Sequence, residues 1–350
     1  AGLTFVGPSA EVIERMGDKA SARKTASSLG LPVVPGSEGR IEDINHALRI
    51  SEEIGFPIMI KAVAGGGGRG IRIAETACDL KRFAKVAQAE AQAAFGDGGL
   101  YLEKLVSNPR HIEVQLLADG RRAVHFFERE CSIQRRRQKV WEEAPAFGLS
   151  EATRVALCRS AVALAEELGY CGAGTVEFIY DTLSDNFFFI EMNTRIQVEH
   201  PVTEAITGFD LVAEMLQIAS GKPLSVQQDK ITYNGHAIEV RINAEDPARN
   251  FIPFPGKVGE ICLPHGEGIR IDHFLFEGYQ IPPYYDSLLG KLIVHAETRS
   301  DAIISLQKAL KNMKIGGIKN TIPLHLELCN SPDIKEGLFH TQWLEKWLCQ

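Results

Sequence analysis

No stretch of this 350-residue sequence approaches the roughly 18 consecutive apolar residues that a membrane helix requires, so no membrane partner is expected. The first residues lack a basic segment followed by an apolar one, so no signal peptide is expected there. Basic excess is missing too. The 38 Lys and Arg stand against 45 Asp and Glu, a net charge of −7, which argues against a general nucleic-acid binder. Cysteine is sparse and unpatterned: the seven residues, Cys78, Cys131, Cys158, Cys171, Cys262, Cys329 and Cys349, include no CxxC pair and are odd in number. That speaks against a zinc knuckle and against a disulfide framework. It points to a reducing setting, cytoplasmic or, in a eukaryote, an organelle lumen. No internal repeat or low-complexity linker is evident.

What remains is an ordinary globular composition, 45% hydrophobic and 24% charged, with length for two or three units around a real core. The chain starts at Ala1, and Leu3-Thr4-Phe5-Val6-Gly7-Pro8 reads like a strand arriving mid-domain; a fragment lacking its N-terminal part is expected. Ser9 to Met16 and Asp18 to Leu29 read as short helices, the second stopped by Gly30 and Pro32. Strands are expected at Ile58–Ala62, Ile71–Ile73 and Tyr101–Lys104, with an Ala-rich helix over 77–95. Residues 110–128 alternate with period two around Asp119-Gly120, the pattern of a hairpin. Ser150 caps a helix ending near Gly169, and strands follow over 175–179 and 187–193. Short strands fill 235–295, and Ser300 opens a last amphipathic helix. The fold class expected is α+β.

Five segments carry chemistry. Gly65-Gly66-Gly67-Gly68-Arg69-Gly70 contains G-x-G-x-x-G, yet a strand follows it where a dinucleotide fingerprint needs a helix, and no Gly-Lys-Ser/Thr closes it. A strand–glycine loop–strand suits a phosphate-covering flap, because backbone N–H groups without a Cβ approach phosphate closely. Lys61 lies just upstream. Next, Glu177 sits in an apolar strand, and Glu191 and Asn193, two apart, share one strand face. Two carboxylates and an amide oxygen form a hard donor set suited to Mg2+ or Mn2+; the alternative is a solvated face. Third, Arg195-Ile196-Gln197-Val198-Glu199-His200-Pro201 brings a guanidinium, an amide and a carboxylate into one loop. Arg195 suits the grip of a small oxyanion and Glu199 a general base, with a salt-bridged loop as the alternative. Fourth, the basic run Glu130 to Lys139, placed after a strand, reads equally as a solvated face, a nucleic-acid patch or an anion-handling segment. Last, Arg241 shares a strand face with Glu239, as a cross-strand ion pair or as a functional cation.

Together the segments resemble the biotin carboxylase subunit or domain of biotin-dependent carboxylases, of the acetyl-CoA carboxylase type, within the ATP-grasp superfamily. The resemblance runs from about Gly2 to the C-terminus. It is carried by Met16-Gly17-Asp18-Lys19, Ile60-Lys61-Ala62 with the glycine run, Asn108-Pro109-Arg110-His111-Ile112-Glu113 and Glu130-Cys131-Ser132-Ile133-Gln134-Arg135-Arg136. Glu142-Glu143-Ala144-Pro145, the run Glu191 to Pro201, Arg241 to Pro247 and Pro282-Pro283-Tyr284-Tyr285-Asp286-Ser287 complete it. The resemblance implies an ATP-grasp fold with a mobile glycine-rich lid and a C-terminal β-rich domain, the family's N-terminal α/β domain being absent. The implied segments are linker helices at 1–32, a lid subdomain at 33–105, a catalytic core at 106–230 and a C-terminal domain at 231–350.

The same resemblance implies roles. Lys19, Lys61, His111 and Gln134 become ATP contacts, with Gly67 and Gly68 in the lid and Glu103, Lys104, Leu105 and Val106 holding the adenine. Glu177, Glu191 and Asn193 become ligands of a pair of divalent ions. Lys139, Arg195, Gln197 and Val198 form the bicarbonate pocket, Glu199 is the base, and Arg241 steadies the biotin enolate. Arg137 stands where the family often has a nucleotide-contacting His. The implied activity is that of a ligase: ATP and bicarbonate give carboxyphosphate, which carboxylates biotin on a carrier protein. Implied partners are a biotin carboxyl carrier protein, carboxyltransferase subunits and a second copy of the full-length chain. The rival readings are an ATP-grasp ligase that joins a carboxylate to an amine, and a non-catalytic nucleotide-binding module.

Overall fold

The computed structural model describes residues 2–63 and 71–349. The glycine run, with Gly67 and Gly68, therefore lies outside the described residues. Two compact units emerge: Ala26–Ser107 with Phe188–Ile190, and Ala1–Thr25 with Asn108–Phe187 and Glu191–Gln350. The chain opens with α1 (Ala10–Gly17), whose N-terminus is capped by the Ser9 hydroxyl accepting from the Val12 N–H at 3.3 Å, and α2 (Lys19–Ser28).

The smaller unit holds α3 (Ile44–Ile54), β1 (Ile58–Ala62), β2 (Ile71–Ala74), α4 (Ala77–Phe95) and β3 (Leu100–Lys104). The strands form an antiparallel sheet in the order β2-β1-β3. Alternation decides the faces of β1: Ile58 and Ile60 enter the core and Lys61 does not. The core is completed by Leu102 and by Leu80, Ala84, Ala87 and Ala91 of α4, a stripe at helical spacing.

In the larger unit come β4 (Arg110–Asp119), β5 (Ala123–Arg135), β6 (Gln138–Ala144), α5 (Glu151–Glu167), β7 (Cys171–Asp181) and β8 (Asn186–Asn193). Then follow α6 (His200–Thr207), α7 (Leu211–Ala219), β9 (His236–Asn243), β10 (Ile269–His273) and β11 (Leu288–Ala296), numbering only strands of the main sheet. The sheet has eight strands in the order β10-β11-β9-β6-β5-β4-β7-β8. Helix α8 (Arg299–Asn312) is capped by Thr298, and α9 (Ile322–Asn330), α10 (Pro332–Glu336) and α11 (Trp343–Trp347) follow it.

Strand β9 shows how the sheet divides its faces. On β9, Ile238, Val240 and Ile242 pack with Trp141 of β6 and with Leu306 and Leu310 of α8. The intervening Ala237 packs with Val202 and Ile206 of α6, so the face bearing Glu239 and Arg241 is covered as well. Among the described residues no helix is long and apolar enough to cross a membrane.

Two expectations are corrected. The run Glu130–Lys139 does not follow a strand: β5 continues to Arg135 and returns as β6 through Arg136 and Arg137, whose φ angles are +48° and +67°. Both faces of β5 are buried here, which removes the polar–apolar alternation that marks a strand in sequence. Nor is the helix near Ser300 the last. Pro323 and Pro332 lie in the first turns of two further helices, where a missing N–H costs nothing.

Candidate active site

The mixed face of the large sheet gathers the charged residues. Register does this directly. Glu113 on β4 lies opposite Arg129 of β5 on one side and Glu177 of β7 on the other. Arg129 is fully buried, and all of its nitrogens donate. Nε donates to Glu113. Nη1 donates to Gln115 at 2.7 Å and Thr203 at 3.2 Å, and Nη2 to Gln197 at 2.9 Å and Thr175 at 3.2 Å. An unpaired guanidinium there would cost several kcal/mol, so this network fixes its neighbours strongly. It also fixes Gln197: the amide oxygen accepts from Arg129, and the amide nitrogen donates to Glu177 Oε1 at 2.8 Å.

Lys139 enters this acidic floor from β6. Its Nζ donates to Glu113 Oε2 and to Glu199 Oε1, each at 2.5 Å, and lies 3.4 Å from Glu177 Oε1. Glu199 ends the loop after β8, immediately before α6, and its second oxygen accepts from Arg241 Nη2 at 2.9 Å. One carboxylate is thus held between two cations. Arg241 Nε donates to Glu142 at 2.7 Å, and Lys291 of β11, opposite Arg241, donates to the Val198 carbonyl.

Electrostatics follows from these contacts. Burial alone would lower the His111 pKa, but the Glu177 charge and the nearby Glu113 and Glu177 oxygens carry it up to about 9. Its Nε2 lies 3.2 Å from Glu177 and 3.4 Å from Glu113. Burial would raise Glu177, yet His111 and Lys139 hold it down at about 2. Glu113 is likewise held well below the carboxylate range: burial opposes, Arg129 and Lys139 prevail. The Arg241 pKa is raised, since Glu142 and Glu199 outweigh its burial. The centre is an anionic floor with bound cations, able to receive an anion against Lys139 and Arg241.

Known proteins share this arrangement's sequence over nearly its whole length. A family model described as carbamoyl-phosphate synthase L chain, ATP binding domain, matches residues 18–227, and one described as biotin carboxylase C-terminal domain matches 239–346. Biotin carboxylase 1 of Bacillus subtilis is 49% identical over 346 residues, covering 99% of this chain and 77% of that protein. Biotin carboxylase of Pseudomonas aeruginosa is 49% identical over 350 residues, with the same two coverages. The chain belongs to the biotin carboxylase family. Among solved structures, the biotin carboxylase domain of 2-oxoglutarate carboxylase from Hydrogenobacter thermophilus, in complex with MgADP, ADP and bicarbonate, superposes with a TM-score of 0.88 at 48% identity. It covers 99% of this chain and 76% of the other. A bicarbonate-bound biotin carboxylase domain of a thermophilic 2-oxoglutarate carboxylase gives 0.94 at 46% identity, with the same coverages. The fold is therefore the α+β ATP-grasp fold of biotin carboxylase domains.

Within this family fold, the structure brings together His111, Lys139, Glu177, Gln197, Glu199 and Arg241. Asn193 joins them by donating its Nδ2 to Glu177 at 2.8 Å. Gln134 lies behind His111, with Nε2 3.2 Å from its Nδ1 and donating to the Cys131 carbonyl at 2.7 Å. Arg195 is exposed beside the cluster; its Nη1 donates to the Ile196 carbonyl at 3.1 Å and its Nη2 lies 3.4 Å from Asn193 Oδ1. Val198 contributes its carbonyl to Lys291. Glu191 is half-buried on β8, and none of the cluster's bonds involves it. Lys19 and Arg137 are exposed and outside the cluster. In the smaller unit, Lys61 is paired with Glu103 and lies 5.7 Å from the Tyr101 ring centroid. Lys104 Nζ donates to the Gly55 and Phe56 carbonyls at 3.1 and 2.7 Å, beyond the end of α3, and the Leu105 N–H donates to the Pro57 carbonyl at 3.0 Å. Val106 is half-buried.

The residues fit a divalent cation by donor chemistry. Glu177 and Glu191 supply carboxylate oxygens and Asn193 an amide oxygen, a hard-oxygen set with Glu191 on the Asn193 face of β8; here Glu177 Oε1 is taken up by donors from Asn193, Gln197 and Lys139. Sequence reasoning missed Arg129, and it gave no role to Glu113 and Glu142 although both stand in runs that carry the resemblance. Strand register was needed to show what each one faces.

Proposed function

We infer that this chain catalyses ATP-dependent carboxylation of biotin, with bicarbonate as the carbon source, and that the charged face of the large sheet performs it. The observation that carries the reading is Glu199 held between Lys139 and Arg241. A carboxylate so placed accepts the bicarbonate proton. Once neutral, it releases the attraction of both cations to the new anion, so no charge is moved into an unprepared medium. Arg195 and Gln197 complete the grip on bicarbonate through hydrogen bonds.

The deprotonated bicarbonate oxygen attacks the γ-phosphorus, the bond to ADP breaks, and carboxyphosphate forms. Carboxyphosphate then divides into CO2 and phosphate. Phosphate takes the N1 proton of biotin, and N1 bonds to the CO2 carbon. Arg241 offsets charge on the ureido oxygen; a preorganised donor of this kind is worth about 100- to 1,000-fold in rate. Glu177, Glu191 and Asn193 would hold Mg2+ or Mn2+, which neutralises charge on phosphoryl oxygens when bound. His111, Gln134, Lys19, Lys61, Arg137, the 103–106 segment and the glycine run are assigned to the nucleotide.

The segment plan goes with this reading: linker helices at 1–32, a lid at 33–105, a core at 106–230 and a C-terminal domain at 231–350. So do a biotin carboxyl carrier protein, carboxyltransferase subunits and a homodimer as partners, and a place in acetyl-CoA carboxylase or a related acyl-CoA or pyruvate carboxylase. ADP release by the full chain tests it, with ATP, Mg2+, bicarbonate and free biotin omitted in turn. Release that needs both bicarbonate and biotin is expected. Release that ignores biotin and follows an amine would overturn the reading.

A further inference from the structure

Beneath Arg241 lies a pair of acids with no part in the scheme above. Glu142 of β6 and Glu239 of β9 are directly opposed in the antiparallel register, and both are completely buried. Residues so opposed have Cβ atoms about 4.5–5.5 Å apart. Two like charges at that spacing, out of water, repel strongly.

The two acids are unequal. Glu142 Oε1 accepts from Arg241 Nε at 2.7 Å. Neither oxygen of Glu239 has a hydrogen-bond partner. The charged groups around it are Arg241 on its own strand, Glu142 on β6, Lys291 on β11 and Glu199 before α6. The two cations of this set are already committed, Arg241 to Glu142 and Glu199, and Lys291 to the Val198 carbonyl.

We propose that Glu142 is a positioning residue for Arg241, and that Glu239 is held as an uncharged carboxylic acid so that Glu142 alone carries negative charge at this rung. A neutral acid removes the repulsion that would otherwise weaken the hold of Glu142 on the guanidinium. Burial, then Glu142 and Glu199, push Glu239 far up against the pull of Lys291 and Arg241. Burial raises Glu142 as well, but its bond to Arg241 opposes the rise, so of the two acids it is Glu142 that has a cation to hold its charge. With Nε fixed by Glu142 and Nη2 by Glu199, Nη1 is the edge of Arg241 left for substrate. The proposal rests on the biotin-carboxylating reading only for what Arg241 is positioned to do; the proton on Glu239 does not depend on it.

The experiment has two arms, both on the full chain. Infrared spectra at neutral pH read the C=O stretch of protonated carboxyls. A band lost in Glu239→Gln is expected; a spectrum unchanged by that substitution sinks the neutral acid. In the kinetic arm, Glu142→Gln is expected to lower kcat/KM for free biotin about tenfold or more while the KM for ATP stays put, since only an interaction with Arg241 is loosened. Glu239→Gln should cost at least several-fold less, because an amide mimics the neutral acid. Equal losses, or a parallel rise in KM for ATP, would overturn the positioning role. Should Glu142→Gln fail to fold, Glu142→Asp keeps the charge but draws it back by one methylene and should lie between the two. Where biotin gives no stimulation even in the unsubstituted chain, the functional reading falls and the infrared arm still decides Glu239.

Discussion

His111 is where a single residue's charge state carries the most consequence for this site. It is pushed up to about 9 while Glu177 is held at about 2, so the two are oppositely charged across the neutral range. A histidine raised from its usual 6.5 contributes stability that is fully present below about 6.5 and lost as pH climbs through about 9. The contribution is on the order of 3 kcal/mol at the low end. Melting temperatures of the full chain should therefore fall between about pH 7 and pH 10, and His111→Gln should start lower and lose most of that slope. Parallel slopes would remove His111 as the cause. The sequence singled out His111 and Glu199 through the runs they stand in, and Glu177 as a carboxylate inside an apolar strand. Glu113 stands in the same run as His111, on the same strand face, yet was given no role. Alternation with Ile112, Val114 and Leu116 looks like a solvated face, and nothing local tells that Arg129 and Lys139 lie against it.

At the scale of elements, the β5–β6 turn is the instructive case. Helices α1, α4 and α5 were legible from Ser9, from the Ala-rich run and from Ser150, because capping and helical spacing are local. The turn was not, because the residues before it lie in a strand buried on both faces. Arg136 and Arg137 both take positive φ, a region that strains residues with a Cβ by about 1 kcal/mol. The chain keeps arginine there nonetheless, and Arg137 occupies the position assigned to a nucleotide contact. Arg137→Gly separates the two effects. It should leave melting unchanged or raise stability by up to about 1 kcal/mol, while weakening ATP binding several-fold in a titration. A variant that melts lower with unchanged ATP affinity would make Arg137 a structural residue only.

On the scale of the whole molecule, the two family-model segments, 18–227 and 239–346, share one sheet. Strand β9, from the second, pairs with β6, from the first, and β11 and β10 continue outward from it. Sequence could not foresee this, since β6 and β9 are not consecutive and only tertiary pairing joins them. The join is also electrostatic. Glu143 of β6 is fully buried and held at about 2: burial opposes, but Arg299 of α8 and His236 of β9 prevail. Arg299 donates to Glu143 at 2.8 Å from 156 positions along the chain, and to the Ile334 and Lys335 carbonyls of α10. A chain ended at residue 230 would lose the strand neighbour of β6, the apolar cover of Trp141, and the cations opposite Glu142 and Glu143. Breaking a single buried pair costs about 3–5 kcal/mol, against a typical total stability of about 5–15 kcal/mol. With an unpaired strand added, residues 1–230 alone should show no cooperative melting transition and should aggregate. Supplying 231–350 as a separate chain should restore both solubility and the transition. A cooperative transition in 1–230 by itself would mean that the first segment holds a complete core, and that the shared sheet is an attachment and not a condition of folding.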